Sequence, residues 1–475
     1  MGENKIDVLR KKWGFPLAII FGMIVWYMPL GHGLTPQGHH ALALFTGIFI
    51  LYLTEAVPLA VTSIAVAPLA VLMGVAKIGP ALSSFASSSL FLMFGAFILA
   101  AGMIETNLAK RLTYLILKAV GSSTRQITIG VVLTNIMLSF LVPSSTARVA
   151  ILLPVCISVI ELFKGEGRTK FGANLLLTLT MTNCTIAAGI LTATVPNPVI
   201  IDFIQKAGGP TISYMEWLKI GFPPALLMTI ITWAFIQILF KPEEKEIPGG
   251  ASYVTKSLNE MGPMKYDEIY TLVVFLLVVV GWATGKIIKI DTTTICMAGS
   301  LLLFIPKFGV LKWKQASPHI NYSILLVVGG GIGLGTLLMK TGASKWLAAQ
   351  AFQAFGLQAL PVILLTIVVM LICQFMHFFF VGTTVMTTAM MPMIIALGVE
   401  AGLPPQVLAL SAGMIIGGYP VLMFYCTNPN ILVYSTGQLT VWDFPKVGIP
   451  ISVVGCIVYA ICAATYWRWI GVFGG

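Results

Sequence analysis

The 475 residues are 57% hydrophobic and only 9% charged, with a formal net charge of +11. Soluble domains carry about 25% charged residues, so the composition excludes a soluble globular protein and indicates a polytopic membrane protein. The basic residues flank apolar segments instead of clustering, which argues against nucleic acid as a partner.

Apolar runs of about 20 residues, enough to span a bilayer, fall at 14–31, 38–54, 57–76 and 88–119. The first follows "MGENKIDVLRKKWG" without a small-residue cleavage site after it, and so reads as a spanning helix and not a signal peptide. Longer blocks at 126–160 and 172–206 precede a span at 217–240. The stretch 241–267 is hydrophilic, rich in charge, Pro and Gly, and reads as a cytoplasmic linker. Spans resume at 268–285, 291–308 and 322–352, followed by blocks at 358–397 and 404–437 and a last span at 446–470.

Basic residues set the expected orientation. Lys5, Arg10, Lys11 and Lys12 precede the first span, and Lys110, Arg111, Lys118 and Arg125 lie in the last part of the fourth apolar run and just after it. Lys164, Arg168 and Lys170 follow the block 126–160, and Lys307, Lys312 and Lys314 lie at the end of the run 291–308 and just after it. Placing all of these in the cytoplasm requires 126–160 to enter and leave on one side, as a re-entrant hairpin with its tip near Pro143–Thr146. Lys286 and Lys289 fall outside on this scheme.

The chain repeats itself. "SSLFLMFGAFILAAGMIETNLAKRL" (88–112) pairs with "SILLVVGGGIGLGTLLMKTGASKWL" (323–347) at an offset of 235. "VPSSTARVAILLP" (142–154) pairs with "FVGTTVMTTAMMP" (380–392) at 238, and "TATVPNPVI" (192–200) with the stretch around 424–432 at 233. Three blocks recurring in order indicate the inverted-topology repeat of secondary transporters.

Each hairpin tip carries hydroxyls beside a helix breaker: Ser144, Ser145 and Thr146 after Pro143, and Thr383 and Thr384 after Gly382. Ser and Thr in a spanning helix commonly bond their own backbone, yet matching places in two repeats favour a binding role. Helix N-termini at such tips attract anions, and hydroxyls supply neutral donors for carboxylate oxygens. "TATVPNP" (192–198) and "CTNPN" (426–430) interrupt apolar runs, so Thr194, Asn197, Thr427, Asn428, Pro429 and Asn430 are expected in unwound loops facing the tips. Freed carbonyls there could also bind a cation.

Two bases lie at membrane depth. Arg148 is costly to bury and is expected to serve function, either pairing with a carboxylate or replacing a bound cation. His377 is a secondary candidate, a satisfied core histidine being the plainer reading. The repeat counterpart of Arg148 is Met386, so the charge is not a structural need of the hairpin. The seven cysteines are scattered without CxxC spacing and read as small core residues; no metal site or cofactor is expected. "GGGIGLG" (329–335) has dinucleotide-like glycine spacing but no preceding soluble strand, so helix packing explains it. No hydrolase elbow, P-loop or metal-spacing signature is present, and the chain is not expected to be an enzyme.

This set of motifs resembles the divalent anion/sodium symporter (DASS) family, the INDY-like di- and tricarboxylate transporters, over nearly the whole chain. The resemblance implies an all-α polytopic fold with about 11 spanning helices, two re-entrant hairpins and two broken helices. It also implies a homodimer, each protomer carrying a scaffold and a transport domain that moves as an elevator. Family tips carry Ser-Asn-Thr, and here Ser144-Ser145-Thr146 and Gly382-Thr383-Thr384 both lack the asparagine. In the family, tips and unwound loops hold substrate carboxylates, and in sodium-coupled members the same loops hold sodium. Loss of both asparagines together with Arg148 is similar to the exchanger branch. Divided on this pattern, 1–87 holds N-terminal scaffold helices and 88–125 the repeat-1 scaffold helix. Residues 126–206 form the first transport hairpin and broken helix, 207–240 a transport helix and 241–267 the linker. Residues 268–352 form the repeat-2 scaffold, 353–437 the second hairpin and broken helix, and 438–475 a C-terminal transport helix. The expected function is exchange of C4/C5 dicarboxylates (succinate, malate, fumarate, 2-oxoglutarate), with sodium-coupled symport as the alternative. The expected setting is a bacterial plasma membrane with a cytoplasmic N-terminus.

Overall fold

In hydrocarbon every backbone N–H and C=O must find a partner within the protein. The computed structural model describes residues 5–29, 33–162, 167–246, 250–357 and 360–472, and Lys164 of the basic-loop pattern lies outside them. Among the described residues the backbone is satisfied by helices, with one isolated bridge between Ser123 and Glu246. Seven stretches among them are long and apolar enough to cross a membrane, including Ile78–Glu105, Tyr214–Leu239, Tyr266–Ile288 and Asp443–Trp469. Tyr266–Ile288 leaves Ile269, Val273, Leu276, Leu277 and Val280 exposed, the expected face toward lipid. By contrast every residue from Phe171 to Ala187 is buried, placing that helix at the centre.

The block 126–160 is a helical hairpin, Thr124–Leu141 turning into Ser145–Glu161, and its repeat counterpart is Val362–Met376 followed by Thr383–Glu400. Two helices are broken at depth: Lys170–Ala187 resumes as Pro196–Lys206, and Pro405–Gly418 as Asn428–Tyr434. The repeat extends to single hydrogen bonds. Asn197 donates to Ala187 O and Ile190 O at 2.9 and 2.8 Å. Asn430 donates to Pro420 O and Met423 O at 2.7 and 3.1 Å. Each asparagine thus ties down the unwound loop ahead of its own helix, with identical sequence spacing.

Two apolar runs that read as single spans are interrupted. The run 88–119 stops at Glu105 and resumes as Leu108–Val120, and 322–352 stops at Lys340 and resumes as Ala343–Ala354. Thr106 and Thr341 end the first pieces with their hydroxyls donating to Gly102 O and Leu337 O, at 2.7 and 2.8 Å. Asn107 (φ +61) and Gly342 (φ +76) then turn the chain through the left-handed region, which Asn and Gly tolerate best. All three pairs keep the offset of 235.

The hydrophilic linker contains a further helix, Gly250–Glu260, packed on Leu108–Val120. Arg111 fastens this joint, donating to both oxygens of Glu268 at 2.6 and 3.1 Å and to Gly262 O at 2.7 Å. The glycines of "GGGIGLG" are packing residues: a Cβ on Gly330 would lie 2.1 Å from Ser63 O, and one on Gly335 2.5 Å from Phe203 and Pro392. They let the helix Tyr322–Lys340 approach Leu59–Leu72 on one side and Pro196–Lys206 and Thr383–Glu400 on the other.

Candidate substrate site

Both hairpin tips and both unwound loops meet around one cavity of about 260 Å³. Local sequence explains each tip. Val142 and Ser144 are extended, and the Ser144 hydroxyl caps the next helix by accepting from the Ala147 N–H at 3.2 Å. At the second tip Gly382 adopts φ +124, which side chains disfavour even where space is open, so glycine is required there. The first-turn N–H groups of Ser145–Glu161 and Thr383–Glu400 have no intrahelical acceptor, and their positive dipole ends face the cavity.

Of the residues singled out from sequence, Ser144, Ser145, Thr146, Thr194, Thr383, Thr384, Thr427 and Asn428 line this cavity. Its wall includes no Asp, Glu, Lys, Arg or His. Residues outside the tips and loops complete it: Phe97 from Ser88–Glu105, and Asn321 and Ser323 at the start of Tyr322–Lys340. Sequence reading missed these three. Asn321 carries a recognisable signal, since it is the cap of its helix and accepts from the Ile324 N–H at 3.0 Å.

Five candidates stand behind the wall. Arg148 is fully buried, and each of its five N–H groups meets a protein acceptor. Nε donates to Asn183 Oδ1 at 2.6 Å, and Nη1 to Val142 O and Ala193 O at 2.7 and 2.9 Å. Nη2 donates to Ser145 Oγ at 3.0 Å and to Asn183 O at 3.5 Å. The arginine therefore stitches the hairpin tip to the first unwound loop, and it sits one hydroxyl away from the cavity. Among the described residues it forms no ion pair with an Asp or Glu. Ser145 accepts from the guanidinium, which leaves its own O–H to donate into the cavity and strengthens that donor. Asn183, absent from the sequence-based set, holds the arginine and donates to Ser145 O at 3.1 Å.

His377 ends Val362–Met376, with Nδ1 and Nε2 each 3.2 Å from a backbone carbonyl, those of Cys373 and Ile416. Asn197 braces its loop as described, and Pro429 is buried in the first turn of Asn428–Tyr434. Asn430 likewise lies behind the wall, its Oδ1 accepting from Thr180 at 2.6 Å.

The family model for the sodium:sulfate symporter transmembrane region matches residues 9–473. The chain belongs to this divalent anion/sodium symporter family. It is 28% identical to a putative malate transporter, YflS, of Bacillus subtilis, over 96% of each chain. It is 28% identical to the sodium-dependent dicarboxylate transporter SdcS of Staphylococcus saprophyticus, over 97% of this chain and 92% of that one. Its fold is similar to that of the Alcanivorax borkumensis YdaH transporter, at TM-score 0.52 and 11% identity over 98% of both chains. As a DASS family member the chain is a multi-pass integral membrane transporter and not an enzyme.

Proposed function

We propose that this DASS protein exchanges C4/C5 dicarboxylates (succinate, malate, fumarate or 2-oxoglutarate) by alternating access around the cavity. Ser144, Ser145 and Thr146 would seat one carboxylate and Thr383 and Thr384 the other, with Thr194, Thr427 and Asn428 lining the loops. The observation that carries the reading is Arg148: a buried cation without an acidic partner among the described residues, one hydroxyl behind a cavity with no ionised side chain. Its guanidinium donates to the Val142 and Ala193 carbonyls, so a cation in the first loop would compete with it for them. A dianion entering a dry site requires compensating positive charge. Mobile sodium would leave with the substrate and let the empty carrier return neutral. A covalently fixed arginine must instead travel uncompensated, which makes the empty return costly and exchange obligatory.

The similarity to a sodium-dependent dicarboxylate transporter favours a second reading, sodium-coupled symport on the same fold. Proteoliposomes separate the two. Uptake of labelled succinate that requires internal dicarboxylate and ignores sodium supports exchange. Sodium-driven uptake into empty vesicles overturns it. The same reading takes the protein as a homodimeric elevator in a bacterial plasma membrane, N-terminus in the cytoplasm. Cross-linking in native membranes tests the dimer.

A further inference from the structure

Two more spaces lie along the seam between Ser88–Glu105 and the hairpin half of the molecule. One is a polar cleft of about 510 Å³ at the end of the bundle that carries Lys286 and Lys289. The other is a neck of about 10 Å³, room for roughly one water molecule. The neck shares Phe97, Pro143, Thr194 and Val195 with the carboxylate cavity. It shares Leu92 and Pro198 with the cleft. The three spaces therefore run in file from the hairpin tips to the opposite end.

The neck has two unlike walls. Leu92, Met93, Ala96 and Phe97 form an apolar stripe on one face of their helix. Opposite stands Thr192, 7% exposed, whose hydroxyl faces that of the buried Tyr214. An apolar constriction one water wide, with only this hydroxyl pair at its side, has the make-up of a gate that closes by dewetting.

We infer that this seam is a second permeation route, for water and small inorganic monoanions, held shut in this conformation by Leu92, Met93 and Phe97. The anion preference comes from the cavity mouth. The cavity mouth faces two helix N-termini with Arg148 behind them. In the cleft, Glu216 pairs with Lys286 and Asp202 with Lys206, while Asp291 is committed to capping Thr294. Lys289 forms no ion pair there among the described residues and offsets the charge of Asp291, so the cleft itself is balanced. The neck is too narrow for a dicarboxylate, which makes this passage independent of exchange or symport.

The test uses the full chain in vesicles without dicarboxylate on either side. A potassium diffusion potential drives labelled thiocyanate, and light scattering reports water permeability. Leu92→Ala, in the neck but not in the carboxylate cavity, is expected to raise both several-fold. Thr192→Val, which keeps the shape and removes the hydroxyl, is expected to lower them again in the Leu92→Ala background. Labelled sodium should not follow thiocyanate, and equal passage of sodium refutes the anion preference. Monodisperse Leu92→Ala protein whose thiocyanate and water permeabilities equal those of the parent overturns the inference. If Leu92→Ala does not fold, Met93→Ala is read by the same criteria.

Discussion

Replacing Arg148 by Gln or by Lys separates its charge from its hydrogen bonds. Ser145 Oγ lies 3.0 Å from the guanidinium, and a further hydrogen bond of about 2.7 Å puts a bound carboxylate oxygen within roughly 6 Å of it. At an effective dielectric constant of about 20, that separation is worth about 3 kcal/mol, or roughly a hundredfold in affinity. Arg148→Gln should therefore weaken succinate binding about a hundredfold. Arg148→Lys keeps the charge and should hold affinity within about tenfold. Both variants lose stability, because Lys offers three donors where Asn183 Oδ1, Val142 O, Ala193 O and Ser145 Oγ now have partners. Each acceptor left bare costs about 1–3 kcal/mol, so melting temperature falls in both and does not discriminate. Binding by calorimetry on monodisperse protein does. If Gln and Lys variants bind succinate equally well, the charge does not act at the cavity and the case for obligatory exchange fails with it.

Gly382→Ala should abolish transport while leaving the rest of the fold intact, because φ +124 at the second tip costs a side chain about 1–3 kcal/mol; normal succinate uptake would contradict this. Asn197→Ala and Asn430→Ala each leave two loop carbonyls without donors, a loss of about 2–6 kcal/mol apiece, read as a lowered midpoint of thermal unfolding. Burial alone would raise the Glu243 carboxyl, but the N–H groups of Lys170 and Phe171 outweigh it and hold it below its usual range. Its contribution is complete above the unfolded value and disappears as pH falls through the lower folded value, so amide exchange at the start of Lys170–Ala187 should accelerate only in acid. Acceleration on the alkaline side would reverse the assignment.

The features legible in sequence were those written locally. A Pro or Gly beside hydroxyls marked both tips, and Pro-Asn pairs marked both unwound loops. Their repetition supplied the topology. Contacts made across the chain left no such trace: nothing near Asn321 or Phe97 says that they close a cavity against residues far away in sequence. Length and hydropathy also hid the interruptions at Asn107 and Gly342, since a single left-handed residue redirects a helix without altering its apolar character. The orientation of Arg148 was equally invisible. Its role depends on Asn183, whose position in the run "TLTMTNCT" looks no different from that of its neighbours.

The two braced loops are copies that have ceased to be equal. Asn430 is tethered at both ends, because Thr180 donates to its oxygen. The corresponding oxygen of Asn197 is buried without a partner. At the repeat offset of 233, the position answering to Thr180 is Gly413, which has no hydroxyl to offer. Nor can one be restored simply, since a Cβ there would stand 2.3 Å from Ile200. The first loop thus lacks the hydroxyl tie that Asn430 keeps and has in its place the guanidinium of Arg148 on its Ala193 carbonyl. One loop is anchored through an uncharged hydroxyl and the other through a fixed charge, so the two halves of the repeat are braced by different chemistry.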